Sequence, residues 1–400
     1  MSANPAAAER HRIQLDPPVP EALAGELATR LFFVSEAIVE FTLVRADGHV
    51  EAVDLVVAGA VDPRELARKL RFVAANDVLA QRRPQSKVVW SSPLRRPPQD
   101  LFDELLRRGI ATEAGEGQVA VGEPVLSLMD HLDARIRALA TSELGARDVR
   151  YPTLIPTAAM TRAGYLRSFP QLMMFVTRLH GDVDTYRQFV DRLDGGEDLE
   201  RQLRADCRSF DYCLPPTMCF HTYHQLSGRP LPAPSLVVTS RGKSFRFESR
   251  YRRSMERLWD FTIREIVFLG PRDLVLAGRR RLMELAFALA ESLGLGGRCE
   301  VANDPFFVDG DTAGRTWSQR MFELKYELRL PISPGVDIAV GSFNFHERFF
   351  GESFGIASPG GEGLVHTACA GFGLERFAYA FVCQHGLDPA GWPREVRDAL

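Results

Sequence analysis

The 400-residue sequence predicts an α+β fold, an antiparallel β-sheet core flanked by helices and preceded by a smaller α+β module. Three observations carry this reading. Apolar and polar residues alternate over several short runs, as half-buried strands require. The helical runs fall between groups of strands rather than after each strand, which does not fit a doubly wound parallel sheet. The composition, 45% apolar and 25% charged, is that of a globular chain long enough for a large core and two domains.

The elements follow in order. Residues 1–19, MSANPAAAERHRIQLDPPV, are expected to form a disordered lead, and they lack the apolar core of a signal peptide. Residues 20–122 read as the N-terminal α+β module. IVEFTLVR and VEAVDLVVAG alternate as strands, with the hairpin signal Asp47-Gly48 between them. VDPRELARKLRFVAAND is helical, with Pro63 near its start, and PPQDLFDELLRRG is a helix stopped at Gly109. QVAVG closes the module as a strand. Residues 123–400 form the second domain. EPVLSLMDHLDARIRALATSEL is a long amphipathic helix, VRYPTLIP a proline-interrupted strand, and the stretch from Leu172 to Arg204 helical and charged. SLVVTS, FRFESR, TIREIVFLG, KYELRLPI and VDIAVGSFNF are strands, and PRDLVLAGRRRLMELAFALAESLGL is a helix between two of them.

Composition narrows the function. No apolar run reaches 18 residues, so no transmembrane helix is expected and the default location is cytoplasmic. The net charge is −3, and residues 20–122 carry 13 basic against 15 acidic residues, which argues against a broad nucleic-acid surface. Charge concentrates locally, since RGKSFRFESRYRRSMER, from Arg241 to Arg257, holds seven basic and two acidic residues. The six cysteines form no Cys-x-x-Cys pair, so a metal site has to gather distant ligands. In HTACAGFGLERF, Gly371 and Gly373 stand just before Arg376 at the head of an apolar helix. A cation there opposes the helix dipole, and glycine lets a backbone approach a ligand, so the pair suits an anionic partner such as phosphate.

Three stretches together resemble the catalytic core of a class II aminoacyl-tRNA synthetase. They are LDARIRALATSELGARDVRYPTLIP with Pro152, then FRFE followed by a basic loop and RLWDF, then GFGLERF, in the order of that family's three motifs. The resemblance implies a class II synthetase antiparallel sheet, ATP with Mg2+ as substrate, and a two-fold homodimer through the first motif. It implies that Arg246 holds the α-phosphate and the substrate carboxylate and that Glu248 accepts from the adenine amino group. Phe261 then stacks on adenine, Arg376 covers its other face and reaches the γ-phosphate, and Arg257 joins the ATP-binding set. Planar, permanently charged guanidinium groups suit such phosphate contacts.

One branch of the superfamily, which the sequence also resembles, holds a zinc ion in the amino-acid pocket through two cysteines and a glutamate. By position this implies Cys219 in PTMCFHTYH, Glu265 in FTIREIVFLG and Cys369 in HTACAGFG, with the fourth zinc position open to the substrate amino group. Cys207, Cys213, Cys299 and Cys383 read as buried apolar residues, and His221, His224 and His366 as structural or supporting groups. Asn344 and Ser342 are expected to contact a small amino acid, with Phe343 or Phe345 limiting the pocket. Seryl enzymes place a magnesium-binding glutamate near the position of Ile338, beside Asp337.

Two relatives share this core. YLRSFP, SFNFHERFFG and GFGLERFAYAFVCQHG resemble the bacterial amino acid:[carrier protein] ligases, which load a phosphopantetheine thiol. The N-terminal module resembles instead the domain ahead of the archaeal seryl-tRNA synthetase core. The preferred acceptor is a carrier protein and the alternative is tRNA. A third alternative, a non-catalytic binding protein derived from a synthetase, has no use for the full set Arg246, Glu248, Phe261 and Arg376.

Overall fold

In the computed structural model, the described residues are 9–35, 37–79, 87–179, 181–248, 254–302 and 325–399. The basic loop expected after Glu248 lies largely outside them. They form two compact units, one ending at Lys87 and one beginning at Val88.

The first unit is a three-stranded antiparallel sheet with helices Ala24–Val34 and Pro63–Val73. Its strands are β1 (Glu9–Pro20), β2 (Ile38–Ala46) and β3 (His49–Val57), in the order β1-β3-β2. Asp47 and Gly48 both take positive φ, 47° and 74°, which is the two-residue turn that a right-twisted hairpin favours. Pro63 opens its helix and Asp62 caps it by accepting from Arg64 N at 2.9 Å. Ile13, Leu27, Leu31, Val53, Leu55, Leu66 and Leu70 make the core. The lead expected to be disordered over residues 1–19 therefore contains a strand from Glu9 onward. Ile13, Leu15 and Val19 point their apolar side chains into this core.

The second unit is built on an eight-stranded sheet. In chain order the strands of this unit, in that sheet and two smaller ones, are β4 (Val88–Ser92), β5 (Ala111–Gly115), β6 (Gln118–Val121), β7 (Arg147–Asp148), β8 (Ile155–Pro156), β9 (Met174–Leu179), β10 (Cys207–Leu214), β11 (Leu236–Phe245), β12 (Asp260–Gly270), β13 (Gly297–Val301), β14 (Tyr326–Ser333), β15 (Val336–Phe345) and β16 (His366–Gly373). The large sheet runs β4-β13-β14-β15-β16-β12-β11-β7, antiparallel except where β7 joins β11. The contact boundary at Lys87/Val88 lies earlier than the 122/123 boundary read from the sequence. The reason is β4, which pairs with β13 and so commits the chain to the second unit.

One face of the sheet is closed. Helices Val125–Ala138, Arg272–Ser292 and Leu374–His385 lie against it. They bury Ile266, Phe268, Phe343, Phe345, Ala368, Ala370 and Phe372 with Leu132, Leu282 and Phe377. Arg264, on this face of β12, is tied to the first of these helices, its Nε and Nη2 donating to Asp133 at 2.7 and 2.8 Å. The opposite face meets the short helices Cys219–Gln225 and Phe349–Phe354, which leave room for a site. VRYPTLIP supplies only β8, at its end, with β7 just before it, and Pro152 between them cannot donate to a ladder. Among the described residues no helix is long and apolar enough to cross a membrane.

Candidate active site

Strand alternation decides which residues share the open face. On β12 these are Phe261, Ile263, Glu265 and Val267. In register they meet Ser244, Gly242 and Ser240 of β11 on one side, and Gly373, Gly371 and Cys369 of β16 on the other. Beyond β16 come Ser342 and Asn344 of β15, opposite Gly371 and Cys369. Candidate residues separated by more than a hundred positions in sequence thus lie on adjacent strands.

Cys219 enters from above, at the first position of helix Cys219–Gln225. Ligand atoms of Cys219, Glu265 and Cys369 lie within 4.8 Å of one another, and all three residues are at most 4% exposed. Thr217 donates its hydroxyl to Glu265 Oε2, which holds the carboxylate in place. Burial pushes the Glu265 carboxyl and the Cys219 thiol up. The Cys369 thiol is pushed well up by its hydrogen bond with Cys219 and then by burial. Three acids packed this closely repel one another's charge, and a divalent cation reverses that balance. Two thiols and one carboxylate fit zinc, whose tetrahedral bonds of about 2.0–2.3 Å put ligand atoms roughly 3.5–3.8 Å apart.

Asn344 donates Nδ2 toward Cys369 Sγ at 3.7 Å, and Ser342 sits two residues earlier on the same face. Phe343 and Phe345 do not limit this pocket as expected. Alternation turns both into the core on the other face, where they are 0% and 1% exposed. Ile338 is likewise buried in that core, and Asp337 is engaged by Arg298 and Arg329, so neither is free for a cation. His346 is a group that the sequence reading passed over. Its Nε2 lies 3.7 Å from Cys369 Sγ, and burial pushes its pKa down to about 3. The spacing Asn344-x-His346 at the end of a strand was the available signal.

A second cluster lies toward the other end of β12 and β16. Arg246 follows β11, donates Nε to Pro216 O at 3.0 Å, and sets its guanidinium 5.4 Å from the Phe261 ring centroid. Glu248 accepts from Arg257 Nη1 at 3.1 Å, so its carboxylate is held by a neighbour rather than left open. Arg376, in the first turn of helix Leu374–His385, donates to Ala339 O at 3.4 Å. Met255, Leu258, Phe261, Gly373, Glu375 and Arg376 line one pocket. Burial pushes the Arg376 guanidinium down, Glu248 opposes this, and Arg257 and Arg246 push it further, so the set forms one concentrated field. Such a field favours an anion. The Glu375 carboxylate accepts from Thr262 N and Oγ1 at 2.8 Å and has the Lys243 ammonium 3.7 Å away as its counter-charge.

Of the cysteines left aside, Cys213, Cys299 and Cys383 are buried as expected of apolar residues, whereas Cys207, at the start of β10, is only half-buried. His221 is buried and stacks on Tyr151, with ring centroids 5.3 Å apart, and is not among the three grouped ligands.

Comparison with known proteins places this geometry in context. No family model matches the chain. It is 36% identical over 278 residues, 68% of this chain and 83% of the relative, to amino acid–acyl-carrier-protein ligase 1 of Bradyrhizobium diazoefficiens. It is 29% identical over 371 residues, 88% of this chain and 68% of the relative, to the type-2 serine–tRNA ligase of Methanopyrus kandleri. Among solved structures it is similar to M. kandleri SerRS in complex with A. aeolicus tRNASec, with a TM-score of 0.73, 25% identity, and coverage of 98% of this chain and 77% of that one.

Proposed function

The chain belongs to the amino acid–acyl-carrier-protein ligase family, class II synthetase-like enzymes, and we propose that it activates a small α-amino acid with ATP and loads it onto a carrier-protein thiol. A carboxylate oxygen of the amino acid attacks the α-phosphorus of ATP. The bond to the β-phosphate breaks, pyrophosphate leaves and an aminoacyl-adenylate forms. The phosphopantetheine thiol of the carrier then loses its proton and attacks the acyl carbon, AMP departs, and a thioester remains.

The observation that carries this reading is the shared open face of β12 and β16, which presents Phe261 and Arg376 at one end and Glu265 and Cys369 at the other. In this reading Arg246 and Arg376 bind the triphosphate and stabilise charge as it builds on the phosphoryl oxygens. Phe261 takes the adenine face now beneath the Arg246 guanidinium, and Arg257 swings from Glu248 to the nucleotide, freeing Glu248 for the adenine amino group. Cys219, Glu265 and Cys369 would hold a zinc ion, whose open position supplies a Lewis-acid seat for the substrate amino group. Asn344 and Ser342 border that seat, and their closeness to it leaves space for glycine, alanine, serine or cysteine.

The homodimer and the cytoplasmic location belong to the same proposal. Pro152, Thr153 and Leu154, after the first long helix, are exposed as a two-fold contact requires. Helix Val183–Asp194 buries none of its side chains and exposes Val183, Tyr186, Val190 and Leu193 along one stripe, a face suited to a protein partner. The test is pyrophosphate exchange across the twenty amino acids, followed by transfer to holo carrier protein and to total tRNA. Exchange with small amino acids and label on the carrier is the expected outcome. Charging of tRNA with none on the carrier supports the second reading, a seryl-type tRNA ligase. That reading draws on the similarity to M. kandleri SerRS, which spans 98% of this chain and therefore reaches beyond the catalytic core.

A further inference from the structure

We propose that His346 and Asn344 act as paired N–H donors to the Cys369 sulfur, positioning that residue and setting how much charge it gives to a bound metal. The inference rests on the zinc reading of Cys219, Glu265 and Cys369. Asn344 is the penultimate residue of β15, and His346 follows two positions later, so strand alternation carries both toward β16 on the same side. Asn344 Nδ2 and His346 Nε2 each lie 3.7 Å from Cys369 Sγ. One strand end thus brings two nitrogen groups to one sulfur.

The far side of the imidazole allows the proton to sit on Nε2, and a metal-bound thiolate requires it there. His346 Nδ1 faces the Thr367 hydroxyl at 3.4 Å and the Tyr223 hydroxyl at 3.5 Å. A hydroxyl can donate to a bare ring nitrogen, whereas a metal-bound thiolate can only accept. The proton therefore sits on Nε2, aimed at sulfur, and Nδ1 accepts. The ring has little freedom to leave this arrangement. His346 N donates to Thr367 O at 2.9 Å, and the edges of Phe350 and Tyr223 pack on the imidazole at centroid distances of 4.8 and 6.3 Å. His346 is 7% exposed, so water does not compete for Nε2.

Hydrogen bonds to a cysteine ligand draw charge away from the metal and fix the ligand's direction. Here they weaken donation from Cys369 without adding charge to the pocket. A metal bound there would keep more of its Lewis acidity for a neutral amino group.

The test uses cobalt(II) in the full chain and reads the sulfur-to-cobalt charge-transfer band together with metal affinity in competition with a chelator. His346→Leu removes a donor and keeps bulk. It is expected to move the band to longer wavelength and to weaken metal binding roughly 10–100-fold. His346→Gln can place an amide N–H near the same point and is expected to stay close to wild type. Should His346→Leu fail to fold, Asn344→Leu removes the other donor and is expected to shift the band in the same direction. An unchanged band and affinity in whichever of the two leucine variants fold overturns the proposal. Absence of any thiolate-to-cobalt band in the wild-type protein overturns the zinc reading itself.

Discussion

Asp133→Ala should be among the most destabilising single changes in the second unit. Arg264 is 3% exposed, and its guanidinium makes three bonds, two to Asp133 at 2.7 and 2.8 Å and one to Asp148 at 3.1 Å. Removing the Asp133 carboxylate takes away two of these and leaves a buried cation facing Asp148. Asp148 is already shared with Arg137, which donates to it at 2.6 Å. Arg241 loses a contact to Asp133 at 3.5 Å but keeps Asp130 at 2.8 Å. Breaking a buried pair from one side costs about 3–5 kcal/mol, and the surviving Asp148 bond puts this case near the lower end. The double variant Asp133→Leu, Arg264→Met removes both charges and is expected to lie within about 1 kcal/mol of wild type. Urea unfolding followed by circular dichroism reads both, as a lowered midpoint at constant slope for the single change. A single variant that loses less than about 1 kcal/mol refutes the reasoning, as does a double variant as unstable as the single one.

Four further outcomes are expected. Arg376→Ala should lower the pyrophosphate-exchange rate by about 10²–10³-fold, the scale for losing one preorganised charge-stabilising group, and unaltered exchange would remove Arg376 from the site. Cys219→Ala should leave the purified protein without the one zinc per chain expected of the wild type, as metal analysis by mass spectrometry would show; retained zinc would place the metal elsewhere. Acid should expose the ion pairs of β14. Burial alone would raise the Glu327 carboxyl, but Lys325 and Arg329 outweigh it and hold it at about 2, below the ordinary 4.5. A carboxyl lowered in the folded state adds stability that is present above the ordinary pKa of 4.5 and is lost as pH falls through the folded value. Glu327→Gln should flatten that part of the stability–pH curve, and an unchanged slope would contradict the assignment. Val190→Asp, in the exposed stripe of helix Val183–Asp194, should leave exchange intact and slow transfer to carrier protein, whereas equal transfer rates would move the docking face elsewhere.

Much of the fold is legible because its strands are one-sided. IVEFTLVR, TIREIVFLG and VDIAVGSFNF alternate, or run apolar where both faces are covered, and they become β2, β12 and β15. What escaped has a physical cause in each case. ERHRIQLDPPVP reads as polar and proline-rich, yet its few apolar residues are spaced to close a small core from an edge, and it becomes β1. The run from Leu172 to Arg204 reads as helical because the apolar content of β9 is half exposed and the two helices after it dominate the pattern. HTACAGFG carries little β-propensity, yet it is β16, in the interior of the eight-stranded sheet. Non-local pairing on both sides outweighs its local preference.

That same strand corrects the explanation of its glycines. The sequence suggests that Gly371 and Gly373 free the backbone for close approach to a ligand. Gly373 fits such a role, since a Cβ there would meet nothing closer than Arg376 at 3.9 Å. Gly371 does something else. A Cβ at that position would lie 2.7 Å from Ile263 Cδ1 and 3.5 Å from Glu265 Oε1. The glycine therefore makes room on β16 for the Ile263 side chain of β12, while the Glu265 carboxylate that faces Cys219 and Cys369 would be in ordinary contact. Its absent side chain accommodates Ile263 packing across the pair, not the path of a ligand. This dependence could not be read along the chain, because it exists only once β12 and β16 are paired in register with Glu265 opposite Gly371. Cys369 illustrates the other half of the problem. Its identity as a candidate ligand was available from its place before GFGLERF, but its surroundings were not, since Asn344 and His346 reach it only across the β15–β16 pairing. Residue type and motif order thus point to the chemistry of the site, while strand register decides which neighbours set its charge and hold it in place.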